Sequence, residues 1–156
     1  MVLAAHWFPE FETQMGTGIV DLSSDTLTVG LVAAGVFTWG ATPEGYTYVS
    51  QFLAGDGTDG ALTEVSLTGT NYTRKNLAGV SFSASAEVVT LTATSPSWAS
   101  GTFSTCYGWL YDSTAGTSDS TRPIMAYFDF GGTTPVTGAT LTLTVPGTGL
   151  ITWTGS

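Results

Sequence analysis

Apolar and small side chains alternate along two runs that flank a polar connection, and this pattern predicts a central hairpin. The first run covers residues 103–112 and the second covers residues 122–132. Side chains in a strand alternate between two faces. The first run therefore places on one face Phe103, Thr105, Tyr107, Trp109 and Tyr111. The second run places on one face Ile124, Ala126, Phe128 and Phe130. Both faces of both strands are apolar or small, which predicts strands that are buried on two sides.

Further strand patterns recur roughly every 8–12 residues, with turn signals between them, as is typical of an all-β sandwich or barrel. The predicted strands cover residues 26–34, 62–67, 77–85, 87–93, 139–145 and 150–153, with 36–40 as a short continuation. Residues 95–101 are predicted as a turn that holds Trp98, and residues 131–138 as a loop. Residues 46–54 fit a helix as well as a strand. We therefore predict an all-β, single-domain antiparallel β-sandwich or barrel-like fold over residues 19–156.

The first 18 residues form a predicted N-terminal arm. Trp7, Phe8, Phe11 and Met15 have helix-like spacing, and Pro9 favours a short helical turn that starts there. The aromatic side chains of such an arm need to be covered. Two interpretations are open: the arm covers them on the core of its own chain, or it docks on a neighbouring subunit.

The composition fits one domain with an adequate core. A chain of 156 residues buries roughly 68–70% of its unfolded surface and needs no disulfide. The single cysteine, Cys106, lies on a small-residue strand face and is interpreted as a buried, inert thiol. Charged residues make up 10% of the chain, against about 25% in an average domain. This low charge indicates that much of the surface contacts other protein.

The net charge is −9, and the basic side chains are Arg74, Lys75 and Arg122. Binding to a phosphate backbone takes several Lys or Arg side chains on one face, so the sequence argues against a nucleic-acid partner. The same deficit argues against an anionic membrane. No apolar run approaches the ~20 residues of a membrane-spanning helix. The N-terminus has no basic region before its apolar residues, and no signal peptide is predicted.

Residues for catalysis, cofactors or metal binding are sparse. His6 is the single histidine and lies in the arm, so neither a nucleophile–histidine pair nor a zinc site is indicated. Asp112 and Asp129 are a candidate carboxylate pair on the hairpin, but Asp112 is better explained as a turn cap. Asp56 and Asp59 are candidate calcium ligands, yet their spacing is not that of an EF-hand, and a solvated turn is favoured. We predict no enzyme, no metal and no cofactor.

Three aromatic side chains are candidates for stacking on a sugar, namely Tyr107, Trp98 and Trp109. The alternative is that these rings fill the core or a subunit interface, where aromatic residues are also enriched. The second interpretation is favoured.

Read as a whole, the chain resembles a family of small all-β structural proteins found in the particles of tailed bacteriophages. The resemblance runs in order along most of the chain: HWFPEF (6–11), GIVDLSSDTLTVGLV (18–32), GTNYTRKNLAGVSF (69–82), SPSWASGTF (95–103), CYGWLYD (106–112), PIMAYFDFGG (123–132) and LTLTVPGTGLITW (141–153). It implies a virion protein that is assembled in the bacterial host cytoplasm.

The preferred role under this resemblance is a capsid decoration, or cement, protein that binds the outer head surface non-covalently. Its expected partner is the major capsid protein, and a homo-oligomer, a dimer or a trimer, is expected as well. The alternatives are a tail, neck or fibre component and a carbohydrate-binding adhesin module. The residues expected to contact a partner come from the arm and the hairpin: His6, Trp7, Phe8, Phe11, Tyr107, Trp109 and Tyr111.

Overall fold

The computed structural model describes residues 4–35, 45–55, 61–85 and 88–154. In chain order its elements are β1 (Ala4–Trp7), α1 (Glu10–Gly16), β2 (Leu27–Ala33), α2 (Val49–Ala54), β3 (Lys75–Asn76), β4 (Ser81–Ser85), β5 (Val88–Thr92), β6 (Ser97–Asp112), β7 (Ile124–Thr142) and β8 (Ile151–Thr154). The predicted all-β fold is confirmed, since antiparallel sheets pack against each other in a sandwich-like domain. The predicted continuation at 36–40 and the candidate calcium ligands Asp56 and Asp59 lie outside the described residues.

Strands β6 and β7 form the centre of a five-stranded sheet with the order β1-β7-β6-β2-β3. A second sheet has three strands in the order β4-β5-β8. The predicted hairpin is therefore confirmed, and it is longer than expected. Residues 131–138, predicted as a loop, belong to β7, and most of the predicted turn at 95–101 belongs to β6. Gly131 and Gly132 adopt positive φ where the β6–β7 register shifts. The two glycines therefore form a bulge within β7 instead of ending the strand.

Irregularities in the β6–β7 pairing also change which side chains share a face. Thr105 pairs with Thr134, whereas Tyr107 pairs with Asp129, so the register shifts between these two pairs. Phe103 packs against the larger core cluster, while Trp109 belongs to the smaller one. The single face predicted for residues 103–111 was therefore wrong, because strict alternation does not survive a β-bulge.

The two core clusters cover the two faces of the five-stranded sheet. The larger cluster contains Leu31 and Phe128 of this sheet together with Leu91 of β5, so it joins the two sheets. The smaller cluster packs Trp109 against Val49 and Phe52 of α2. Helix α2 thus resolves the ambiguous segment at 46–54, and its buried positions three residues apart form the helical face that covers the sheet.

The predicted strand at 62–67 is wrong. This segment makes one isolated bridge, between Glu64 and Val32, although Leu62 and Val65 are buried. A regular strand would place Leu67 on the same side as the buried Val65, but Leu67 is 64% exposed. The apolar residues of this segment therefore indicate that it is partly buried, but they do not indicate a strand.

The N-terminal segment is built into the sheet. Strand β1 pairs with β7 in antiparallel register, and Phe8 N–H donates to the Met125 carbonyl at 3.0 Å. Phe8 and Phe11 are both 0% exposed. These two side chains of the arm are therefore covered by the core of their own chain, which was the first of the two predicted interpretations. The expected short helix after Pro9 is confirmed as α1.

Candidate functional site

The structure divides the seven predicted partner-binding residues into surface and core positions. His6 is exposed, Trp7 and Tyr107 are half-buried, and the buried ones are Phe8, Phe11, Trp109 and Tyr111. The exposed His6 ring stacks on Tyr127 with ring centroids 4.7 Å apart. All seven residues were predicted as contacts because they are aromatic. Aromatic character alone does not distinguish a ring that fills a core from a ring that contacts a partner.

The two tryptophans that were candidates for sugar stacking lie in the core. Trp98 is 1% exposed and Trp109 is 0% exposed. Trp98 Nε1 donates a hydrogen bond to the Thr73 carbonyl at 2.6 Å, which satisfies its polar atom. The favoured interpretation of these two rings as core residues is confirmed, and neither presents a free face on which a sugar ring could stack.

Cys106 and Asp112 also take the positions that the sequence favoured. Cys106 is a buried free thiol, and burial raises its pKa, which lowers its reactivity. Asp112 Oδ1 accepts hydrogen bonds from the backbone N–H groups of Thr114 at 2.7 Å and Ala115 at 3.2 Å, as expected of a turn cap. Asp129 pairs with Tyr107, several strand positions away from Asp112, so the register separates the two carboxylates.

Among the described residues, the most extensive polar cluster is centred on Arg74, which no sequence pattern indicated. Its guanidinium donates two hydrogen bonds to Glu64, at 2.8 and 2.7 Å, and two to Asp119, both at 2.6 Å. The same group lies over two aromatic rings, 5.4 Å from the centroid of Trp109 and 5.3 Å from that of Tyr111. A planar, five-donor group suits this combination of bidentate pairing and stacking.

The neighbours of Arg74 are tied into the same network. The Tyr72 hydroxyl donates to Glu64 at 2.9 Å and accepts from the Leu31 N–H at 2.9 Å. The hydrogen bonds from Arg74 hold the pKa of Asp119 below its usual value. Burial by itself lowers the pKa of Arg74, and the hydrogen bonds to Asp119 and Glu64 outweigh it and raise that pKa. Both shifts favour the charged forms of Arg74 and Asp119, and the hydrogen bonds of the cluster fasten three chain segments to the sheet.

This network also changes the charge on the surface of the protein. Arg122 also donates to Asp119, at 3.4 Å. All three ion pairs found among the described residues involve Arg74 or Arg122. Two of the three basic side chains are thus paired with acids of the same chain. The outward surface is consequently even poorer in free positive charge than the composition indicates.

Charged side chains are absent from two long stretches of the sequence, residues 88–111 and 130–156. These stretches supply β5, β8 and the distal parts of β6 and β7. There Phe103 pairs with Val136, both packed on the larger core cluster. The pairs on either side, Thr102 with Thr137 and Ser104 with Pro135, point to the opposite face of the strands and are exposed. We call the surface formed by these four residues the ribbon face.

An apolar groove lies between the end of α1 and β4. It is an open groove of about 500 Å³ lined by Met15, Val20, Leu22 and Phe82, with Asp21 at its edge. The adjacent Ile19 is 51% exposed. The protein therefore has apolar as well as uncharged polar surface that is suited to contact with another protein.

Among the described residues, no group of three or more His, Cys, Asp or Glu side chains is placed to hold a metal ion. In the same part of the chain, none of the helices has the length and hydropathy needed to cross a membrane. Comparison of the chain with protein-family models, with curated proteins and with solved structures found no match.

Proposed function

We propose that this protein is a structural component of a tailed-bacteriophage particle, a capsid decoration or cement protein that binds the outer head surface non-covalently. The resemblance of its ordered sequence segments to small all-β phage proteins motivates the proposal. The sandwich-like fold is compatible with it, since such a fold offers broad sheet surfaces. The proposed partners are the major capsid protein and further copies of the same chain, as a dimer or trimer.

The observation that carries the proposal is the ribbon face. Moving a charged side chain from water into a protein interface costs free energy unless the charge finds a partner there. Thr102, Ser104 and Thr137 carry no charge, and each hydroxyl can donate and accept hydrogen bonds. A strand pair with such side chains can therefore be covered by another protein at a low desolvation cost. We assign the ribbon face as the contact with the capsid.

Charge also bears on the choice of partner. Each copy carries a net charge of −9, and two of its three basic side chains are paired internally. Contacts made through charged surface would therefore repel a second copy, whereas contacts through the uncharged ribbon face would not. A capsid surface with some positive charge near the contact would be favoured as a partner.

The proposal can be tested by placing charge on the ribbon face. Thr102 and Thr137 are opposite each other in the β6–β7 register and both are exposed. Thr102→Lys removes a hydrogen bond at the surface, from Gly138 N–H to Thr102 Oγ1 at 3.3 Å, but no buried contact, so Thr102→Lys with Thr137→Lys should leave the fold intact. We expect the double variant to bind purified particles at least tenfold more weakly than the unmodified protein in a co-sedimentation assay, because each ammonium loses its water in the contact.

A matched control is Thr13→Lys, since Thr13 is an exposed position on α1, away from the ribbon. It adds the same side chain on another surface, and its binding to particles should be nearly unchanged. Equal binding by the double variant and the control, with circular dichroism showing both folded, would contradict the assignment of the ribbon face as the contact.

A further inference from the structure

Strand β7 is much longer than the strand that borders it on one side. Strand β6 pairs with β7 as far as the Ser97–Thr142 pair, whereas β1 pairs only with residues 126–129. Among the described residues, no strand pairs with the side of β7 that faces away from β6 at residues 133–142. We call this side of residues 133–142 the free edge.

The pairing of β6 shows where the backbone groups of the free edge point. The Ser104 carbonyl accepts a hydrogen bond from the Ala34 N–H at 2.9 Å. The Thr102 N–H donates to the Thr70 carbonyl at 3.0 Å. Both residues of β6 therefore direct these groups away from β7. Residues that lie opposite each other in an antiparallel ladder either bond to each other or both point away, so their partners on β7 direct their own backbone groups to the free edge.

These partners are Pro135, opposite Ser104, and Thr137, opposite Thr102. Proline has no N–H and is tolerated in a sheet where that group would face away from the neighbouring strand, which agrees with the direction found here. Thr137 thus presents an N–H and a carbonyl at the free edge, and Pro135 presents a carbonyl. Among the described residues these groups form no backbone hydrogen bond to another segment, so they are a template for a further strand.

The side chains along the free edge do not prevent such pairing. Exposed edges are often protected by lysine or another charged side chain. The one charged residue of β7 is Asp129, which precedes the free edge. Pro135 lacks a donor, and the Gly138 N–H is occupied by Thr102 Oγ1. These two positions limit the length of edge that a strand can cover, and they leave the donor and the acceptor of Thr137 between them.

We propose that the free edge pairs with the same edge of a second copy of this chain, antiparallel and about a two-fold axis near Thr137. The Thr137 N–H of each copy then donates to a carbonyl of Pro135 or Thr137 in the other copy. This pairing joins two five-stranded sheets into one. The inference rests on the part of the proposed function that joins copies of the chain, and it selects a dimer over a trimer.

Geometry and charge both favour a second copy over a strand of another protein. An antiparallel edge that presents an N–H and a carbonyl at one residue is complementary to itself under a two-fold rotation. Each copy carries a net charge of −9, and residues 130–156 carry none of it. Two copies can therefore meet along the free edge without placing like charges opposite each other. The pairing uses backbone groups in the plane of the sheet, so it leaves the ribbon face uncovered.

The test compares Thr137→Pro with Thr137→Val by analytical ultracentrifugation of the isolated protein. Both variants lose the hydroxyl of Thr137, but only proline removes the N–H. Because that N–H faces away from β6, proline should leave the ladder within the chain intact. The unmodified protein and Thr137→Val should dimerise equally. The dimer of Thr137→Pro should dissociate at least tenfold more readily, since it loses the hydrogen bond of each copy. Circular dichroism shows whether both variants are folded.

Amide hydrogen exchange gives a second readout that needs no variant. The Thr137 amide of the unmodified protein should be protected in the dimer and should exchange freely after dilution to the monomer. A trimer, or a chain that stays monomeric at its highest soluble concentration, overturns the inference. It is also overturned by equal dimerisation of the folded proline and valine variants, or by protection of Thr137 that is unaffected by dilution. Protection that requires added phage particles would assign the free edge to a strand of the capsid instead.

These outcomes are separable from binding to a capsid. A monomer that still co-sediments with particles would overturn the pairing and leave the contact through the ribbon face standing. A dimer with the expected response to Thr137→Pro that does not bind particles would support the pairing and contradict the capsid role.

Discussion

At the scale of single residues, the most constrained contact is between Gly30 and Trp109. The two residues pair across β2 and β6, and the indole ring lies where a side chain at position 30 would be. A Cβ atom at Gly30 would overlap the six-membered ring of Trp109. The same ring supports Arg74 on the sheet. A small residue at position 30 is therefore needed to seat both the ring and the cation above it.

We predict that Gly30→Ala destabilises the protein by about 1–3 kcal/mol, as overpacking of a filled core does. Gly16→Ala is the matched control, since a Cβ there meets nothing within 4 Å. Gly16 ends α1 without positive φ, so alanine should be neutral or slightly stabilising. Urea unfolding of both variants measures the difference, and equal stabilities would show that Trp109 can move away at little cost.

The Arg74 cluster could not be predicted from the sequence. Glu64, Arg74 and Asp119 lie in three separate segments, and each one alone reads as an ordinary surface charge. Their meeting depends on the register of β2, β3 and β6 and on the course of the two irregular segments. By contrast, the turn-capping role of Asp112 is local, and the sequence alone was sufficient to predict it.

At the scale of elements, the N-terminal segment is part of the sheet and the core. Strand β1 pairs with β7, and α1 packs Phe11 into the larger cluster. Removal of the first 15 residues would therefore delete an edge strand and two fully buried rings. Such a truncation disturbs folding, so it does not isolate a docking role for the segment.

A point substitution tests the role of this segment in the core without removing the edge strand. Phe8 is 0% exposed and packs at 5.6–5.7 Å from the rings of Tyr46, Phe52 and Tyr127. We predict that Phe8→Ala lowers the free energy of unfolding by about 3–5 kcal/mol. Phe82→Ala, at a half-buried position beside the groove, should cost clearly less. Chemical denaturation gives both values, and a loss below 1 kcal/mol for Phe8→Ala would mean that the segment is not part of the folded core.

Elements with regular alternation could be predicted from the sequence, and elements with irregularities could not. The β2 pattern places Leu27, Val29 and Leu31 in one cluster, and the structure does the same. In β6 and β7, glycines and bulges interrupt the pattern without ending the strands, because the long pairing of the two strands supplies hydrogen bonds on both sides of each break. The ends of β6 and β7 therefore depend on the pairing between the two strands, which the local sequence does not encode.

At the scale of the whole molecule, charge is distributed unevenly. Every charged side chain lies outside residues 88–111 and 130–156, and two of the three basic ones are paired within the chain. The charged part of the protein favours solubility, while the uncharged ribbon face is suited to be covered. The low overall charge was visible in the composition, but the ribbon face needed the strand register to identify it.

The central claim, that this chain is a decoration protein of a phage particle, is tested most directly by its copy number. The proposed role requires that the chain is present in purified phage particles, and quantitative mass spectrometry of such particles would compare its abundance with that of the major capsid protein. We predict a ratio near stoichiometric, because a cement protein covers the head lattice. A far lower ratio would contradict the decoration role and favour a tail, neck or fibre position, and absence from the particles would contradict the virion assignment altogether.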